Sequence, residues 1–102
     1  MVRTYEIPIN AAQAIRMGYI MRSDLHNEFS DKLRPFGEFY KEHGLDTREC
    51  KPFDVSPKVD DKSGVATIQI TFYTDRDVLK WLPILLKFFT DCFEKWETVR
   101  FS

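Results

Sequence analysis

The chain has 102 residues, of which 43% are hydrophobic and 15% aromatic, and its formal net charge is -1 at pH 7. This length suits a single domain spanning residues 1–102, and such a composition argues against a disordered chain. Because acidic and basic side chains are interspersed throughout, the charge supports neither a nucleic-acid groove nor a polybasic membrane patch.

Compartment signals favour the cytoplasm. The N-terminal residues MVRTYEIPIN lack the apolar run of a secretory signal, and no apolar stretch approaches the ~20 residues of a membrane span. Cys50 and Cys92 are the only cysteines, fewer than small secreted scaffolds usually carry, which favours reduced thiols over a disulfide between them. We therefore expect a cytoplasmic protein, whether made in a cell or delivered there by a virus or plasmid.

The first half of the chain predicts a strand and a long helical segment. Val2–Ile9 alternates in the manner of a strand, and Asn10 offers an N-cap for the helical segment after it. One apolar face then persists through Ala11–His43, which would make an unbroken helix of about 50 Å. Because that length exceeds one layer of a small domain, we expect a long first helix bent or broken near Ser23 or Pro35.

The second half predicts a hairpin followed by another helix. Cys50–Val59 contains two prolines and predicts an edge strand, while Asp60–Gly64 has the composition of a hairpin turn. Val65–Thr74 alternates most clearly and predicts a strand, and Thr98–Phe101 is β-prone enough to return as a last edge strand. The order β-α-β-β-α-(β) predicts an α+β, ferredoxin-like split βαβ sandwich, with an antiparallel sheet and its helices on one face.

The segment Asp75–Glu97 is the most apolar, and we expect the other elements to be arranged around it as a helix. Thr74 can cap its first turn through the side-chain hydroxyl. The residues expected to face the sheet, with Phe89 and Trp96 as buried anchors, are Val78, Leu82, Leu85, Phe89, Cys92, Phe93 and Trp96. Trp81, Ile84 and Phe88 widen this apolar arc by roughly a quarter-turn beyond what packing on one sheet requires.

The widened arc has two interpretations. Trp81, Ile84 and Phe88 are flanked by Lys80, Lys87 and Lys95, a combination that resembles the aromatic centre and charged rim of a protein interface. Alternatively, the stripe packs against the first helix and is ordinary core. Ile84 is expected to point furthest from the sheet, so it best separates the two interpretations.

Residues with catalytic or metal-binding chemistry are scattered along the chain. No two of the soft ligands stand at a recurring metal-site spacing, so we expect no metal; these residues are His26, His43, Cys50 and Cys92. There is no glycine-flanked serine, no closely spaced Cys/His pair and no glycine-rich phosphate loop. We therefore expect no cofactor and favour a non-enzymatic protein, since any catalytic site would have to be assembled by the fold.

These observations favour a small protein-binding module, either an adaptor or a stoichiometric inhibitor of a larger protein, such as viruses and mobile elements encode. One alternative is a ferredoxin-like homodimer whose sheets enclose a small-molecule or catalytic site. Another is a nucleic-acid binder, in which Tyr5 and Tyr73 would stack on bases, although the aromatic-rich RNA-binding signature is missing. We expect Tyr5 and Tyr73 to lie instead on a sheet face covered by a protein partner.

Overall fold

The computed structural model describes residues 2–47 and 50–94, which form an α+β fold built on an antiparallel sheet. Short 3-10 turns at Arg22–Asp24 and Leu45–Thr47 connect some of the elements. In chain order the elements are β1 (Arg3–Asn10), α1 (Ala12–Arg16), α2 (Leu25–Leu33), α3 (Phe36–Glu42), β2 (Phe53–Asp60), β3 (Val65–Phe72) and α4 (Asp75–Cys92).

The described strands form a three-stranded sheet in the order β1-β3-β2. Strand β3 is antiparallel to both neighbours, and Ile70 lies opposite Tyr5 on β1 and Val55 on β2. Successive residues of β3 point to opposite faces, so Ala66, Ile68, Ile70 and Phe72 are all buried on the same face. The helices pack against this face, because buried residues of α1, α2, α3 and α4 join the same core cluster.

The hairpin between β2 and β3 turns where the sequence predicts. The backbone N–H of Gly64 donates to the Asp60 carbonyl at 3.0 Å, and the Asp60 carboxylate accepts from the Lys62 N–H at 3.0 Å. Gly64 adopts a φ of 72°, which only glycine takes without steric cost. The predicted hairpin turn is thus confirmed.

Helix α4 follows the predicted phase through the residues that the structure describes. The Asp77 N–H donates to the Thr74 hydroxyl at 3.2 Å, which confirms the predicted cap. Leu85, Phe89 and Phe93 are fully buried. The Phe93 ring stacks on Phe29 of α2 with ring centroids 5.0 Å apart, so α4 joins the sheet to the helices of the first half.

The helical segment predicted over residues 11–43 is broken near both of the predicted positions. This segment forms α1, α2 and α3, and the interruption between α1 and α2 spans residues 17–24, which include Ser23 in a 3-10 turn. Gly18 has a φ of 81°, the Gly18 N–H donates to the Ile15 carbonyl, and the Tyr19 N–H donates to the Ala14 carbonyl. These paired bonds around a left-handed glycine form a Schellman motif, which ends the helix. The break at Pro35 between α2 and α3 is confirmed.

Several sequence predictions fall on residues outside the described ranges. Lys95, Trp96, the last turn of the predicted helix and the predicted strand Thr98–Phe101 all lie after residue 94. Within the described ranges, no helix combines the length and the hydrophobicity that crossing a membrane requires.

Candidate functional site

The predicted stripe on α4 is divided between the core and the surface. Trp81 is only 4% exposed, Phe88 is half-buried and Ile84 is 37% exposed. The structure therefore does not bring the three side chains together on one accessible surface.

Trp81 is surrounded by other rings. Its ring centroid lies 5.6 Å from that of Phe53, 6.4 Å from that of Phe39 and 5.4 Å from that of His43. The ammonium group of Lys80 lies over the indole ring, 5.1 Å from its centroid, which is a cation–π distance. Trp81 thus fastens α4 to α3 and β2.

Phe88 has a similar role further along the helix. Its ring lies 4.9 Å from Phe39 and 5.5 Å from Phe36, both on α3, and 5.4 Å from Phe89. The excess apolar width of α4 is therefore used mainly to pack α3 beside it.

The most exposed apolar residues of α4 lie on its other flank. Leu79 is 81% exposed and Leu86 is 42% exposed, and Pro83 between them is also exposed. These three positions, i, i+4 and i+7, fall within about 60° of one another around the helix axis. We call Leu79, Pro83 and Leu86 the leucine ridge.

The sequence carries a signal for the leucine ridge that the predicted face of α4 leaves out. Leu79 and Leu86 lie outside the arc defined by the core residues of α4, yet both are large and apolar. Pro83 has no N–H, so it cannot donate the usual helical hydrogen bond to the carbonyl of Leu79. The Leu79 carbonyl is therefore a polar group on the ridge. The leucine ridge therefore combines exposed apolar surface with a backbone acceptor that lacks its usual helical donor.

Cationic side chains separate the leucine ridge from Ile84. Lys80 and Lys87 lie along the solvent-facing centre of α4, and the Lys87 ammonium is 3.3 Å from the Asp91 carboxylate. This exposed ion pair is worth little to stability. Lys80 and Lys87 are thus exposed between the leucine ridge and Ile84.

Tyr5 and Tyr73 do not share a free sheet face. Tyr5 faces the helices, and its ring contacts that of Phe72 edge-on with centroids 5.9 Å apart. Tyr73 lies just after β3 and donates a hydrogen bond from its hydroxyl to Asp54. The two tyrosines thus provide no common platform for bases.

The sheet face away from the helices is polar. The hydroxyls of Thr4 and Thr71 are 3.3 Å apart, and the Gln69 amide donates to the Glu6 carboxylate at 2.8 Å. Such cross-strand polar contacts are typical of a hydrated face. This face therefore gives no particular support to a dimer closed sheet against sheet around an apolar cavity.

An open cleft of ≈ 610 Å³ lies where β2 begins and β3 ends. Its polar groups largely bind one another, because Tyr73 donates to Asp54 and the Thr74 hydroxyl lies 3.0 Å from the Asp77 carboxylate. The hydrogen bond to Asp54 raises the pKa of Tyr73 above its ordinary value of 10.0. The lining residues are Cys50, Lys51, Pro52, Asp54, Tyr73, Thr74 and Asp77.

The cysteines and histidines remain apart. Cys50 is exposed, and Cys92 is half-buried with its thiol pKa raised by burial; both are free thiols. His43 packs its ring against Phe39 at 4.4 Å, which is a structural contact. Within residues 2–47 and 50–94, no group of three or more His, Cys, Asp or Glu side chains is placed to hold a metal ion.

Comparison with protein-family models, with curated proteins and with solved structures finds no match to this chain. A functional proposal therefore has to be based on the surface of the protein, and the leucine ridge is the most exposed apolar part of α4.

Proposed function

We propose that the protein is a small, non-enzymatic protein-binding module that acts by occupying the surface of a larger protein, as an adaptor or a stoichiometric inhibitor. The observation that supports this proposal is the exposure of the leucine ridge on one flank of a helix whose core face is buried. Fully burying one leucine is worth about 1.5–3 kcal/mol. The fold leaves the Leu79 side chain exposed, so this free energy of burial becomes available when a partner covers the side chain.

The shape of the leucine ridge points to a partner with an apolar groove. Anchors at i, i+4 and i+7 along one helix are the pattern by which an amphipathic helix occupies such a groove. Lys80 and Lys87 run alongside, so we propose acidic residues on the rim of that groove. A donor in the groove could also reach the Leu79 carbonyl, which Pro83 leaves without its usual helical partner.

A ferredoxin-like arrangement is the fold that we propose for this module. Its support is the strand order β1-β3-β2 with β3 antiparallel to both neighbours, which is the arrangement of a split βαβ unit. We further propose a cytoplasmic location. Its support is that Cys50 and Cys92 are free thiols, as is usual in a reducing compartment.

Affinity capture with matched variants tests the proposed function. Immobilised wild-type chain and the variants Leu86→Asp and Met21→Asp are exposed to lysate of the source cells, and bound proteins are quantified by mass spectrometry. Met21 is a suitable control because it is 67% exposed and lies in the loop between α1 and α2. A carboxylate buried without a partner costs several kcal/mol, so Leu86→Asp should release the bound protein.

The control variant determines how the result is interpreted. Met21→Asp makes the same chemical change away from α4 and should retain the bound protein. Equal capture by both variants, or no stoichiometric capture by the wild type, would contradict the proposed function.

A further inference from the structure

We draw no further inference here: the strongest candidate, the open cleft where β2 begins and β3 ends, is lined by acidic side chains that accept hydrogen bonds from other groups of the same cleft, and nothing in residues 2–47 and 50–94 shows what would occupy it.

Discussion

The indole ring of Trp81 lies 5.6 Å from the ring of Phe53, at the start of β2. This contact places the largest side chain of the predicted stripe inside the core. It also explains why α4 has a wider apolar arc than the sheet alone requires, since the helix packs against β2 and α3 as well as β3. The accessible apolar surface of α4 is displaced to the flank that carries Leu79 and Leu86.

Replacing Trp81 tests its assignment to the core. Trp81→Ala should lower the free energy of unfolding by about 3–5 kcal/mol, because burial is lost and a cavity remains. Lys80→Ala is the neighbouring control and should change stability by less than about 1 kcal/mol. Denaturant melts measure both values, and a loss below about 1 kcal/mol for Trp81→Ala would place the ring outside the core.

Ile84 should tolerate a charge. Ile84→Asp is expected to change the free energy of unfolding by less than about 1 kcal/mol, since the side chain is already exposed. Leu85→Asp, one residue further along and fully buried, should unfold the protein. Thermal melts of the two variants check the helical phase, and similar melting temperatures would contradict it. In the capture experiment, Ile84→Asp should weaken binding less than Leu86→Asp.

The strands and α4 could be predicted because their signals are local. The alternation of buried and less buried side chains in Val65–Phe72 and the N-cap at Thr74 each depend on only a few neighbouring residues. Both are present in the structure. The sequence predicts the breaks near Ser23 and Pro35, but it does not predict that α1 ends before Gly18, because the apolar periodicity continues across Gly18 without a change of phase. Periodicity records which side chains face the core, whereas a left-handed glycine changes only the backbone.

The leucine ridge escapes prediction for a different reason. Whether Trp81 or Leu79 faces solvent depends on where α3 lies beside α4, and that placement is set by contacts such as Phe36–Phe88 between distant parts of the chain. Sequence periodicity measures the width of an apolar arc. It does not show which margin of the arc a neighbouring helix covers.

Glycine substitutions test the interruption after α1. Gly18→Ala should destabilise the fold by about 1 kcal/mol or more, because its φ of 81° is unfavourable for a side chain. Gly37→Ala is the matched control: it lies within α3, where an added Cβ has no neighbour within 4 Å. This change should stabilise the protein by roughly 0.5–1 kcal/mol. If chemical denaturation gives the same sign for both variants, the positive φ at Gly18 is contradicted.

The hydrogen bond between Tyr73 and Asp54 makes a prediction about pH. The folded chain holds the Tyr73 proton more tightly than the unfolded chain, because its raised pKa is caused mainly by this bond. Its contribution to stability is therefore complete below about pH 10 and is lost as the pH rises through the raised pKa. Asp54→Asn should lower the pKa of Tyr73, measured by NMR titration of the ring. Asp77→Asn, which alters the same cleft without touching the bond, should not.

Site-specific photocrosslinking tests the protein-binding claim most directly. A photoreactive residue is placed at position 86 in one variant and at position 21 in another, and each is irradiated in lysate of the source cells. Both positions are exposed and apolar in the native chain, and position 21, at 67% exposure against 42% for position 86, is the more accessible of the two. We predict a discrete adduct with a larger protein from position 86 and none from position 21. The absence of an adduct at position 86, or equal yields at both positions, would contradict the assignment of the leucine ridge as the binding surface.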